Sequence, residues 1–205
     1  MKIICIGRNY SEHIRELNNE VPEEPVIFIK PDTALLRNNN PFYIPDFSND
    51  VHHEVEIVVK INKPGRAIPI QFAKDYYTHI SLGIDFTARD LQTQLKNKGL
   101  PWEKAKGFDH SAAIGNFFPL QDFSNSIGHL PFHLLKNNQV VQSGNTELMI
   151  HSVDEIIAYV SNFFSLRIGD YIFTGTPAGV GAVSSGDILT GFIEDREILN
   201  FKILG

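Results

Sequence analysis

Apolar residues in this chain fall mostly into short runs or two-residue alternations, and helical spacing is confined to a few stretches. Lys2 to Ile6 and Val26 to Ile29 are compact apolar runs that predict strands. Glu54 to Ile61 alternates, placing Val55, Ile57, Val59 and Ile61 on one core face. His79 to Ile84 predicts a strand ending at Asp85. Phe132 to Leu135 and Val140 to Gln142 flank Lys136-Asn137-Asn138-Gln139, which predicts a hairpin. Asp170 to Thr174, Asp187 to Ile193 and Ile198 to Leu204 predict the closing strands. Helical spacing covers Thr87 to Asn97, where Leu91 and Leu95 lie one turn apart and Gly99-Leu100-Pro101 ends the pattern. It returns in Ser152 to Phe164, where Ser152 and Glu155 form a capping-box pair ahead of an Ile156, Ile157, Val160, Phe164 stripe. Shorter helices are expected over Ile70 to Tyr77 and Ser11 to Leu17. Strands predominate, so the expected fold class is α+β with a mixed, curved β-sheet core.

At 205 residues the chain suits one domain spanning 1–205. Its formal net charge of −6 gives no positive field for nucleic acid or an anionic membrane. A single cysteine, Cys5, excludes an internal disulfide and a cysteine-built zinc site, and is expected in a buried strand. No apolar run approaches the roughly 18 residues of a membrane span. Met1 and Lys2 lead into an apolar run too short for a signal peptide, so a cytoplasmic protein is expected.

The candidate chemistry lies in carboxylates. Glu54 and Glu56 share the strand face opposite Val55, roughly 7 Å apart along the strand. An exposed strand face is the competing reading. Asp85 closes another strand, where it either joins the two glutamates or caps the following helix. Three carboxylates without cysteine or histidine suit a hard divalent ion such as Mg²⁺, not zinc. His13 and Glu16 sit three residues apart, a spacing that lets a carboxylate orient an imidazole base or makes an ordinary surface pair. Thr174-Gly175-Thr176-Pro177-Ala178-Gly179-Val180-Gly181 is a glycine-rich turn whose N–H groups can hold a carboxylate, and it lacks the Gly-Lys-Ser/Thr of a phosphate loop.

In this order the segments resemble the fumarylacetoacetate hydrolase family, from Gly7-Arg8-Asn9-Tyr10 to the last strands. The family's Glu-x-Glu followed by Asp falls on Glu54, Glu56 and Asp85. Asp85-Phe86-Thr87-Ala88-Arg89-Asp90-Leu91-Gln92 and Leu100-Pro101-Trp102-Glu103-Lys104-Ala105-Lys106-Gly107-Phe108-Asp109 resemble its signatures, with the family lysine at Lys106. Thr174-Gly175-Thr176-Pro177-x-Gly179-Val180-Gly181 resembles its turn beside the substrate carboxylate. The resemblance is closest to the small branch that includes acylpyruvate hydrolases, oxaloacetate decarboxylases and oxaloacetate tautomerases.

That resemblance implies a mixed β pseudo-barrel with a few short helices, a Mg²⁺ or Mn²⁺ cofactor, a homodimer, and a mobile lid around residues 10–25 carrying His13 and Glu16. It implies a small 2-oxo acid or dicarboxylate substrate, and enolate chemistry shared by C–C hydrolysis, decarboxylation and tautomerisation. Glu54, Glu56 and Asp85 are then the metal ligands, and Lys106 holds the anionic substrate. His13 and Glu16 supply the base, and Lys30, Gln92 and Thr176 contact substrate. His52 and His53 either orient a ligand or sit solvated at a strand start. Trp102 is expected in the core, and Arg8 and Arg89 are expected to brace loops. Two other readings remain open: a 2-hydroxyhepta-2,4-diene-1,7-dioate isomerase or decarboxylase, and a non-catalytic metal- and dicarboxylate-binding homologue.

Overall fold

The computed structural model describes residues 1–17 and 20–205. An eight-stranded mixed sheet forms its centre, running Val26–Lys30, Ile3–Gly7, Tyr171–Phe173, Val55–Ile61, Tyr77–Asp85, Ala112–Ile114 and Leu35–Leu36. Phe118–Pro119 pairs with the Tyr77–Asp85 strand off that path. Ile3–Gly7 runs parallel to Tyr171–Phe173, and Leu35–Leu36 parallel to Ala112–Ile114; the other pairings in this sheet are antiparallel. A five-stranded sheet runs Gln139–Asn145, Pro131–Lys136, Ile188–Ile193, Arg196–Leu204, Phe42–Tyr43. A third, of three short strands, joins Gly181–Ala182, Val51–His53 and Thr87–Ala88.

The alternation in the sequence accounts for the packing. Val55, Ile57, Val59 and Ile61 face the main core with Leu134, Ile156 and Leu199, as the period-two pattern requires. The opposite face is also covered. Val58 packs there with Ile3, Cys5 and Phe173, so Glu56, on Val58's side of the strand, is enclosed. The expected hairpin forms, with Asn137 at φ 53° and Asn138 at φ 65°, left-handed values that asparagine tolerates. The long helix is Val153–Phe163, and its capping box is made by Ser152 and Glu155. The expected Ile70 to Tyr77 helix is one α-turn, Ile70–Ala73, followed by a 3-10 turn, Lys74–Tyr76.

Two boundaries differ from expectation in ways that matter for the site. The Glu54 to Ile61 strand begins at Val55, because Glu54 is where the chain leaves the three-stranded sheet for the central one. The helix expected from Thr87 begins at Arg89, because Thr87–Ala88 pairs with Val51 and His52 as strand. Among the described residues no helix is long and apolar enough to cross a membrane.

Candidate active site

Antiparallel pairing sets Val55 opposite Ile84 and Glu56 opposite Gly83. The Asp85 N–H then donates to the Glu54 carbonyl at 2.8 Å, which locks the end of one strand to the break in the other. One carboxylate oxygen from each of Glu54, Glu56 and Asp85 lies within 4.8 Å of the others. All three residues are buried, so the exposed-face reading of Glu54 and Glu56 does not hold. Nor does Asp85 cap a helix. Ala88 precedes the first helical residue, and the Asp85 side chain turns to two lysines.

Lys106 ends a single helical turn, Glu103–Lys106. Its Nζ donates to Glu54 Oε2 (2.8 Å), Asp85 Oδ2 (2.7 Å) and Thr87 Oγ1 (2.7 Å), which uses all three ammonium hydrogens. Burial disfavours its charge, but Asp85 and Glu54 outweigh that and raise its pKa above the ordinary lysine value. Burial likewise penalises a charged Glu54, yet Lys106 and Arg89 hold its carboxyl far below the usual range. Glu56 goes the other way. Burial and the neighbouring Asp85 push its carboxyl well up, opposed by a 2.7 Å hydrogen bond from the Gly175 N–H.

This donor set fits a hard divalent cation. It offers buried carboxylate oxygens with no sulfur or imidazole among them. Asp85 Oδ1, 2.7 Å from Lys30 Nζ, is a buried acceptor outside hydrogen-bond geometry and so keeps lone-pair capacity.

The Ser11–Glu16 helix closes the cavity from above. His13 is 6% exposed, and its Nδ1 lies 3.3 Å from Glu16 Oε2. Glu16 also accepts the Gly179 N–H, at 3.1 and 3.3 Å to its two oxygens, which docks the helix on the glycine-rich turn. Gly179 has φ 96°, and a Cβ there would stand 2.3 Å from the Val141 carbonyl oxygen, so only glycine fits this contact. Burial lowers the His13 pKa against the pull of Glu54 and Glu16, which leaves the ring neutral near pH 7. Arg8, Leu17, Phe28, Arg89, Gln92, Lys96, Trp102 and Thr176 line the same cavity as His13, Lys106 and the triad.

The chain matches the fumarylacetoacetate (FAA) hydrolase C-terminal profile over residues 2–203. It belongs to the fumarylacetoacetate hydrolase family. Among its relatives, it is 43% identical to oxaloacetate tautomerase YcgM of Escherichia coli (strain K12), over 92% of this chain and 86% of that protein. It is 40% identical to the mitochondrial oxaloacetate tautomerase FAHD1 of Rattus norvegicus, over 98% of this chain and 90% of that one. Its fold is shared with the crystal structure of fumarylpyruvate hydrolase from Pseudomonas aeruginosa in complex with Mn²⁺ and pyruvate. That comparison has a TM-score of 0.93 and 35% identity over 100% of this chain and 89% of the other.

As in the expectation for a fumarylacetoacetate hydrolase family member, Glu54, Glu56, Asp85, Lys106, His13, Gln92 and Thr176 come to one cavity, and Glu16 backs His13. Lys30 is different. It is wholly buried behind Asp85, where Nζ also donates to the Ser111 carbonyl (2.9 Å), Ser111 Oγ (3.0 Å) and the Lys106 carbonyl. It does not line the cavity, so the expected substrate contact gives way to a positioning role on Asp85. Lys30→Met is therefore expected to destabilise the fold by about 3–5 kcal/mol, the usual cost of breaking a buried pair. Denaturant unfolding checks this, and a cost under about 1 kcal/mol would contradict it.

Other expectations are also corrected. Trp102 is half-buried and lines the cavity, in edge contact with Phe28 at 6.3 Å. In the glycine-rich turn, the Gly175 N–H donates to Glu56 and the Gly179 N–H to Glu16. His53 bonds Gln142 (2.9 Å) and His52 bonds Asp50 (2.9 Å), so neither hydrogen-bonds a triad carboxylate. Arg89 braces Glu54 as expected, but it also bonds Gln92 (2.6 Å) and lines the cavity. Its position was readable: Arg89, Gln92 and Lys96 recur at helical spacing. Gln142 carried no local signal. It joins His53, the Val55 N–H, Thr176 Oγ1 and the Pro177 carbonyl from a distant strand.

The lid expected around residues 10–25 includes Asn18 and Asn19, which lie outside the described residues. Beyond them, Glu24 accepts a 2.7 Å hydrogen bond from the Tyr159 hydroxyl.

Proposed function

We propose that this chain is a Mg²⁺- or Mn²⁺-dependent enzyme of small 2-oxo acids, acting by oxaloacetate tautomerisation or decarboxylation, by acylpyruvate C–C hydrolysis, or both. The observation that carries the proposal is the buried triad beside Lys106, closed over by His13 and Glu16. The names of the relatives support it, since they span oxaloacetate tautomerase and fumarylpyruvate hydrolase. Glu54, Glu56 and Asp85 hold the cation, which when bound supplies Lewis-acid polarisation of the 2-oxo group.

The chain's own residues do the rest. Lys106, kept charged by Asp85 and Glu54, attracts the anionic substrate and stabilises charge developing on its C2 oxygen. A charged amine suits this binding role and not Schiff-base chemistry, which needs a neutral amine. Gln92 and Thr176 orient the substrate from the cavity wall. Neutral His13, aligned by Glu16, takes a proton either from C3 or from a water directed at the distal carbonyl. The helix carrying it excludes bulk water when docked on Gly179. Lid opening to admit substrate, a single domain over 1–205, a homodimer and a cytoplasmic location belong to the same proposal. Light scattering should give twice the 23.1 kDa chain mass, and a monomer would refute the dimer.

Parallel assays of acetylpyruvate cleavage and oxaloacetate turnover, with Mg²⁺ and with excess chelator, test the function. At least one reaction is expected to proceed with metal and stop without it. Turnover of neither would leave the non-catalytic binding homologue as the better account.

A further inference from the structure

Gln142 is buried on the Gln139–Asn145 strand and is not itself part of the cavity wall. The pairing of that strand with Pro131–Lys136 slips by one residue at this point. Leu134 faces Gln142 and Leu135 faces Val140, so Val141 is an extra residue, a β-bulge. A bulge re-aims the side chains beside it. Here the Val141 carbonyl meets Gly179, and the Gln142 side chain reaches Thr176 and Pro177 in the same glycine-rich turn.

The partners fix the direction of the Gln142 amide. Oε1 accepts the Val55 N–H (3.0 Å), which can only donate, and Nε2 donates to the Pro177 carbonyl (3.0 Å), which can only accept. His53 Nδ1, 2.9 Å from Oε1, must then carry its ring hydrogen, and Thr176 Oγ1, 2.9 Å from Nε2, must accept. All four hydrogen-bonding positions of the amide are thereby used. A hydroxyl that accepts this bond keeps one hydrogen of its own to donate. Among the described residues none accepts it, and Thr176 lines the cavity that holds the triad and Lys106. The same amide holds Val55, the residue after Glu54. One side chain therefore ties the strand break at the triad to the turn that carries Thr176.

We propose that Gln142 is a positioning residue for substrate binding. By occupying a lone pair of Thr176 Oγ1, it turns the hydroxyl hydrogen into the cavity, where it donates to a carboxylate oxygen of the substrate. Without Gln142 the hydroxyl is free to rotate and to donate to the Pro177 carbonyl or another neighbour instead. The assignment rests on the 2-oxo acid reading above, in which Thr176 contacts substrate, and adds the residue that sets the direction of that contact.

The test is a double-mutant cycle on KM at saturating Mg²⁺, with circular dichroism to check folding. Its members are wild type, Gln142→Met, Thr176→Val and the double variant, each assayed with whichever of oxaloacetate and acetylpyruvate the wild type turns over. Gln142→Met is expected to raise KM roughly 10- to 100-fold, as for loss of a hydrogen bond to a charged group. In the Thr176→Val background the same substitution should raise KM less than about twofold, because the hydroxyl it acts through is gone. A merely structural role would add its full effect in both backgrounds, and that additivity overturns the proposal. So does a folded Gln142→Met with KM within about twofold of wild type. A second measurement needs no variant, which covers misfolding of Gln142→Met. Saturating the wild type with Mg²⁺ and pyruvate should shift the NMR resonances of the Gln142 side-chain amide, since Thr176 Oγ1 becomes a stronger acceptor once its hydrogen engages a carboxylate. Amide resonances that do not move overturn the proposal. A wild type that turns over neither substrate overturns the underlying reading instead, so the two failures are distinguished by wild-type activity alone.

Discussion

Glu54→Ala is expected to remove acylpyruvate hydrolysis and oxaloacetate decarboxylation together, each by roughly 10³-fold or more, the scale of losing several kcal/mol of charge stabilisation. The reason is position. Glu54 sits at the break between two sheets, shares the triad with Glu56 and Asp85, and bonds both Lys106 and Arg89. Its loss removes one of three clustered carboxylates and the counter-charge of two basic side chains at once. Glu56→Ala should remove the same activities with a smaller stability cost, since among the described residues its carboxylate accepts only the Gly175 N–H. Mn²⁺ titration calorimetry and initial rates on both variants check this. One reaction surviving Glu54→Ala at near wild-type rate would show that the reactions do not share the site.

His13→Ala is expected to divide the reactions. Hydrolysis needs an activated water, and His13 is the buried imidazole of the cavity, beside Glu16. Its removal should cost about 10²–10⁴-fold in acylpyruvate hydrolysis. Decarboxylation breaks the C3–C4 bond without an attacking water and should lose much less. The pH profile should carry the same signature. Burial lowers the His13 pKa from 6.5, so the wild-type rate of hydrolysis should fall only below that pH, as the ring gains its proton. The His13→Ala profile should lack that limb. Equal losses of both reactions would instead place His13 in a step they share.

Much of this was legible in the sequence because the signals are local. The capping box of Ser152 and Glu155, the asparagine turn at 137–138, and the alternation from Val55 to Ile61 each depend on a few neighbours. The triad and Lys106 were legible through spacing and family resemblance. What escaped depends on contacts distant in sequence. Alternation could not tell that the face bearing Glu56 is buried, because the side chains packed on it, Ile3, Cys5 and Phe173, come from strands distant in sequence. Lys30 resembled a substrate contact, but its depth behind Asp85 follows from Ser111 and the Lys106 carbonyl folding around it. Gln142 lies 89 residues from His53 and has no motif of its own.

Proton exchange at C3 of pyruvate in D₂O, followed by NMR, tests the central claim most directly, because it reads enolisation with no bond left to cleave. With Mg²⁺ or Mn²⁺ present, the wild-type protein is predicted to catalyse exchange of the methyl protons. Excess chelator should abolish that exchange, and Glu54→Ala should lack it. Oxaloacetate turnover by the same preparation without any catalysed exchange, or exchange indifferent to chelator, would contradict an enolate route at the Glu54, Glu56 and Asp85 site.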